Sequence, residues 1–331
     1  MKLIAETAWH HEGDFAFMKE LVHTIANDTK ADVVKMHITL DFDEYMDSSH
    51  AGYELLKPWI FSKEQWSELI QIVRDAKKEL MLLLNDTQAV EFGFSFDPEF
   101  VEIHSVCLND IFLLDSFKKY LHDETKLVLG VGGTDLYEID FALNYLEHKN
   151  TMLMFGFQNY PTVYEDINLN KVRKIMSLYP SLEYGYADHT AWDSPHNELV
   201  TLLGAAAGMG YVEKHVTTKY GEERVDWPAA ISIEMCNSLA EKLHILHDVN
   251  GNGKLEMNQG ELNYSVFGPM KKAAVLIRDV KKDELFSKEM IRFVRTATVA
   301  DISQLDIVKS FGKKFKNDMH KGDVLMHSAF V

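Results

Sequence analysis

Two histidines, His189 in the run ADHT and His215 in YVEKHVTT, each stand where a short apolar segment ends. Two imidazoles over one rim are a donor set for a divalent cation, with carboxylates and substrate oxygens completing the shell; Mn²⁺ suits such a site, with Mg²⁺ or Co²⁺ as substitutes. The plainer alternative is that both are polar rim residues, in a chain with 15 histidines. Lys35 sits inside VVKMH, and a lysine within a buried strand is costly unless it meets a carboxylate or an anionic ligand. It is either a functional cation or the partner of Glu6 or Glu213, and Glu6 carries the same ambiguity. Other polar residues at or just beyond such segment ends are His37, Asp86, Thr87, Glu102, Ser105, Gln158, Tyr160, Asp188 and Glu213. Two further motifs are weak. Residues 248–259 begin like a calcium loop but carry Gln259 where the bidentate Glu belongs, and GVGGTD at 130–135 is a lone glycine turn of the kind that can cradle an anion.

The elements that would position these groups follow from hydrophobic pattern. Short runs rich in Val, Ile, Leu and Met at residues 2–7, 32–38, 79–85, 100–106, 126–132, 151–157, 182–188 and 211–217 alternate with amphipathic stretches such as KEQWSELIQIVRDAKK. Parallel strands buried on both faces, each followed by a helix, have this pattern. Eight alternations predict an α/β fold, a (β/α)₈ TIM barrel over residues 1–250. In such a barrel the strand ends and the loops after them carry the active site, which is where the residues above fall. A Gly- and Asn-rich linker is expected at 251–269, and a small β-rich domain at 270–331.

Composition narrows the function further. The 331 residues carry 34 Lys+Arg against 51 Asp+Glu, a net charge of −17, which speaks against a nucleic-acid binder working through bulk positive charge. Hydrophobic residues at 46% and charged residues at 26% suit a folded chain rather than disorder. Cys107 and Cys236 are far apart and form no CxxC pair, and no apolar run reaches the length of a membrane span. A cytoplasmic protein with small-molecule partners is expected.

Several phrases then converge. IAETAWHHEGD, VVKMH, NYPTVYEDINLN, ADHT, YVEKHVTT and VDWPAAISIE resemble, in order and spacing, the sialic acid synthase family, and residues from 270 on, with VLIRDVKKDELFSKEMIRFVR and HKGDVL, resemble its antifreeze-like (β-clip) domain. The resemblance implies a metal-assisted condensation of phosphoenolpyruvate with N-acetylmannosamine or a related hexose, giving a nine-carbon 2-keto acid and phosphate. It also implies a domain-swapped homodimer. Carried across, it makes His189 and His215 the metal ligands, and Glu6, Lys35, Tyr160, Glu213 and Asp226 the catalytic set, with Lys35 a donor-site cation. His37, Thr87, Glu102, Ser105, Gln158 and Arg295 fall to substrate binding, Arg295 as the arginine that one subunit offers to the other's sugar.

The donor side departs from the family. Where its usual phrase YKIGSGE has a lysine, VEIHSVC at 101–107 has Glu102; Gly130-Val131-Gly132 replaces its STG, Ala187 the serine of its SDH, and Gln158 its asparagine. At an effective dielectric of about 20, unit charges about 4 Å apart interact by about 4 kcal/mol, so reversing a sign weighs heavily on a trianionic donor. Three readings follow: a phosphate site rebuilt from Lys35, His37, His104 or Lys214; a related enol or pyruvyl donor of different charge; or a non-catalytic sugar-binding or regulatory paralogue.

Overall fold

The computed structural model describes residues 1–156, 159 and 161–331. Phe157, Gln158 and Tyr160, and with them two of the expected site residues, lie outside the described set. The eight apolar runs form β1 (Lys2–Glu6), β2 (Val33–Ile38), β3 (Glu79–Leu84), β4 (Phe100–Ile103), β5 (Lys126–Gly130), β6 (Thr151–Phe155), β7 (Glu183–Ala187) and β8 (Tyr211–His215). They pair in chain order, all parallel, and β8 closes on β1 to complete a barrel. The helices that follow the strands are α1 (Phe15–Asp28), α2 (Lys63–Asp75), α3 (Thr87–Phe94), α4 (Ile111–Tyr120), α5 (Leu136–Leu146), α6 (Leu169–Leu178), α7 (Asn197–Ala206) and α8 (Ile233–Asn250).

Each helix starts and faces inward for local reasons. In α2, Ser62 and Gln65 exchange the two hydrogen bonds of a capping box, and Trp66, Leu69, Ile70 and Val73 recur at helical spacing as its buried stripe. Period-two alternation divides each strand between two environments. Outward residues such as Leu3, Val34, Leu80 and Leu127 pack under the helices in the larger core. Inward residues Ile4, Val33, Met81, Phe100, Val128 and Met152 plug the lower barrel. One step further along the same inward rows stand Glu6, Lys35, Glu102 and Glu213, so the lumen turns from apolar to ionic toward the C-terminal ends.

The chain divides into Met1–Gly251 and Asn252–Val331. The second unit has its own core, built on Leu276, Val280, Phe286, Phe315 and Leu325, beside an antiparallel pair β9 (Ala273–Leu276) and β10 (Ile291–Val294). The segment 252–269, expected as a linker, falls in this unit: it contains the helix Gln259–Tyr264, and Gly268 N donates to Lys271 O at 2.7 Å. Gly268 has φ +101°, and a Cβ there would lie 2.0 Å from Thr298 O, so only glycine fits. Near the end of this β-rich unit the chain makes an isolated bridge, Val324 to Val275, followed by the short turn His327–Ala329. No helix among the described residues is long and apolar enough to cross a membrane.

Candidate active site

The ionic layer is a cluster of four side chains. Lys35 Nζ lies 2.7 Å from Glu102 Oε2, 2.9 Å from Glu213 Oε1 and 3.4 Å from Glu6 Oε2, every partner side chain being at most 4% exposed. Register explains the contact with Glu6, which is level with Lys35 on β2 and also with His215 on β8. Glu102 reaches Lys35 across the lumen from β4, skipping β3. Burial alone would lower the Lys35 pKa, but Glu102, Glu213 and Glu6 outweigh it and hold the ammonium above its ordinary value. Burial raises Glu213 well above the carboxylate range and raises Glu102 as well. Glu6 goes the other way, lowered because Lys35, His37 and His215 overcome its burial.

Above the cluster lie the imidazoles. His37 Nε2 contacts Glu6 Oε1, and His215 Nε2 is 3.6 Å from Glu6 Oε2. The rings of His189 and His215 are 4.9 Å apart, edge to face at 87°, and His10 packs edge-on against His215 at 5.9 Å. Burial lowers His189 to about 4 and His215 well below its usual value, so both rings are neutral at pH 7. Neutral rings beside the Glu6 carboxylate fit a divalent cation as a donor set. Among the described residues no group of three or more His, Cys, Asp or Glu is placed to hold a metal ion.

A cavity of about 370 Å³ opens on these groups, with Glu6, Lys35, His37, Glu102, Ser105 and His189 among its walls. Ser105 reaches it from the turn Ser105–Cys107 after β4. Gly130 belongs to the same wall, and a Cβ there would stand 2.9 Å from Ser105 N, so the strand end admits no side chain. A second hollow of about 170 Å³ shares His37 and His104 and adds Asp226, Trp9, Tyr45 and Asn85. Asp226 Oδ2 accepts from Trp9 N at 3.1 Å, which ties the loop after β8 to the loop after β1. Burial pushes the Tyr45 phenol up to about 12.

Several sequence expectations need correction. Lys35 is not a free donor-site cation: three carboxylates share it. Lys214 points out of the lumen, where alternation places it, and its Nζ is held 2.9 Å from Asp188 Oδ2 with no exposure. His104 accepts from Val106 N, and burial drives it down to about 3, so it brings no charge. Thr87 lines neither hollow; as the first residue of α3 it donates to Glu44 Oε2 at 2.8 Å. Asn85, one step back at the end of β3, is the residue facing the second hollow, and it donates to Thr39 Oγ1 at 2.9 Å. Trp9, His10 and Tyr45 were also missed, since the first two sit in the turn after β1 and Tyr45 ends the four-residue helix Phe42–Tyr45, segments too short for any periodicity to place. Arg295, in the second unit, is exposed and donates through Nε and Nη2 to Pro269 O at 2.9 and 2.6 Å.

Known proteins resemble this chain in sequence and in fold. The N,N′-diacetyllegionaminic acid synthase of Legionella pneumophila is 26% identical over 345 residues, covering 98% of this chain and 93% of its own. A pseudaminic acid synthase of Campylobacter jejuni is 25% identical over 346 residues, covering 99% and 96%. The crystal structure of N-acetylneuraminic acid (sialic acid) synthetase from Leptospira borgpetersenii superposes with a TM-score of 0.70 at 22% identity, over 79% of this chain and 88% of that one. The sequence pattern of the NeuB family matches residues 24–255, which is all of the barrel but β1 and most of α1 and includes the paired histidines, and the chain therefore belongs to the NeuB family.

Proposed function

We infer that the protein joins an enol or pyruvyl donor, phosphoenolpyruvate or a relative of it, to the open-chain aldehyde of an N-acylhexosamine-type sugar. The product is a nonulosonic-type 2-keto acid, of the kind named in the legionaminic and pseudaminic acid synthases to which the chain is similar. The observation that carries this reading is the pairing of His189 with His215, whose Nε2 is 3.6 Å from Glu6 Oε2, with His189 and Glu6 both in the wall of the 370 Å³ cavity. Bound by the two imidazoles, Mn²⁺ supplies Lewis-acid polarisation of a carbonyl oxygen. Glu6, already in contact with His37 and close to His215, is placed to relay a proton at the carbon–carbon bond-forming centre. Asp226, His37 and Asn85 offer polar atoms to sugar hydroxyls in the adjoining hollow.

Two further features belong to the same reading. The unit Asn252–Val331 is taken as the antifreeze-like domain, and Arg295 as the guanidinium that one subunit of a homodimer offers to the other's sugar. The reaction is placed in the cytoplasm, a reducing compartment that suits two uncrosslinked cysteines. The test is direct: purified protein with Mn²⁺, a panel of N-acylhexosamines and either phosphoenolpyruvate or pyruvate, with mass spectrometry for a nine-carbon 2-keto acid. Its formation in at least one pairing is expected. No such product from any pairing, with calorimetry showing bound Mn²⁺, overturns the reading.

A further inference from the structure

The charges of the cavity beside Glu102 decide what kind of donor it accepts. Among its described lining residues are three carboxyl groups, Glu6, Glu102 and Glu213, against one ammonium, and that ammonium already touches all three. The neighbouring bases add nothing: His37 is occupied by Glu6, and Lys214 is turned out of the lumen onto Asp188. A phosphorylated enol acid brings a phosphate dianion and a carboxylate into this space, where Glu6 and Glu102 repel it, Glu213 offers no positive charge, and Lys35 must leave an existing partner to meet it. An unphosphorylated keto acid has one charge, and its ketone oxygen asks for a single donor.

We propose that the donor is an unphosphorylated pyruvyl compound and that Glu102 takes a proton from its methyl carbon. The assignment rests on the condensing reading above and specifies its donor. Lys35, 2.7 Å from Glu102 Oε2, stands beside the base where an enolate oxygen would develop. The other oxygen of Glu102 lies beside Gly130, where a Cβ would come into contact with Oε1 at 3.5 Å, so the missing side chain leaves the space next to the carboxyl unfilled. In the reaction a methyl C–H bond breaks and its proton passes to the Glu102 carboxylate. The electron pair left on carbon forms the new C–C bond to the sugar aldehyde carbon, the aldehyde oxygen takes up a proton from water, and Glu102 returns its proton to the solvent, restoring the base. The product is the sum of the two reactants, and no phosphate leaves. Burial raises the proton affinity of Glu102, which favours it as a base.

The experiment uses the full chain with Mn²⁺ and pyruvate in D₂O, without sugar, and follows loss of the methyl proton signal by NMR. Wild type should exchange these protons, Glu102→Gln should slow exchange by about 100-fold, and Glu102→Asp, which keeps the acid but shortens its reach, by about tenfold. Calorimetry should show pyruvate binding to wild type, negligible phosphoenolpyruvate binding, and a gain of at least about tenfold in phosphoenolpyruvate affinity in Glu102→Gln, where Lys35 loses an anionic partner. Absence of exchange in wild type, exchange unaltered in both variants, or phosphate release from phosphoenolpyruvate by wild type in the presence of sugar would each overturn the assignment. Failure of the condensing reading looks different: methyl exchange is present, but no sugar yields a 2-keto acid with either donor.

Discussion

Lys35 is the residue on which the upper lumen depends, because a single ammonium offsets three buried carboxyl groups. Removing one member of a buried ionic group leaves the others uncompensated, which costs about 3–5 kcal/mol. Lys35→Met, which keeps the stem and deletes the charge, should therefore lower the urea-unfolding free energy by about that amount, and an unchanged midpoint would mean that the glutamates are neutralised without it. His11 makes a second residue-scale case. It is 4% exposed, its Nδ1 accepts from Gly13 N, and its ring lies 4.5 Å from that of Phe61, with His37, His10 and Asp14 as the titratable groups around it. Burial lowers it from 6.5 to about 3. Below pH 6.5 the unfolded imidazole takes up a proton that the folded one refuses, so the stability due to the neutral ring is complete above 6.5 and falls as pH drops toward 3. Per unit of pH in that window one such group changes stability by up to about 1.4 kcal/mol. Urea titrations at pH 7.5 and 5 should show a smaller loss in His11→Gln than in wild type; equal losses would refute the burial argument.

At the scale of elements, function depends on how strands hand over to helices. Asp86 ends the turn after β3 with no exposure, accepting from Ala89 N at 2.8 Å to cap α3 and from Leu40 N at 2.7 Å to fix the chain after β2. Asp86→Ala loses the cap and leaves the Leu40 N–H without that acceptor, so a cost of about 1–3 kcal/mol in urea unfolding is expected, with near-normal far-UV circular dichroism. Elements of this kind are legible in sequence. The eight apolar runs begin and end within two residues of the eight strands, except that β4 ends three residues before its run, and the alternation inside VVKMH and YVEKH already places Lys35 and His37, Glu213 and His215, on one face. What could not be read is contact across the lumen. Glu102 meets Lys35 from two strands away, a juxtaposition set by barrel closure and side-chain length rather than by any spacing along the chain. The same limit hid Asn85 and promoted Thr87, because a one-residue difference in where β3 ends exchanges a strand-end side chain for a helix cap position. In the second unit, single bridges such as Val324 to Val275 hold chain segments too short to show any alternation.

At the scale of the whole molecule, each unit has its own core, so a surface change in Asn252–Val331 should leave the stability of Met1–Gly251 untouched. Arg295 is exposed and its guanidinium donates to one backbone carbonyl, that of Pro269, so Arg295→Ala should change stability by no more than about 0.5 kcal/mol. If the side chain completes the sugar site of a partner subunit, the same substitution should nonetheless abolish condensation. His189→Ala should abolish it too, by removing a ligand from the barrel of its own subunit, and with it Mn²⁺ binding in calorimetry. The two lesions then lie on different halves of one composite site. When the two inactive variants are unfolded together and refolded in equal amounts, half of the dimers pair unlike chains, and in each of these one barrel with intact His189 faces an intact Arg295. Activity should return to about a quarter of wild type, because one of two sites works in one of two dimers. An arginine serving its own barrel would give no recovery, since every site would then carry one lesion or the other, and a monomer in sedimentation analysis would remove the shared site altogether.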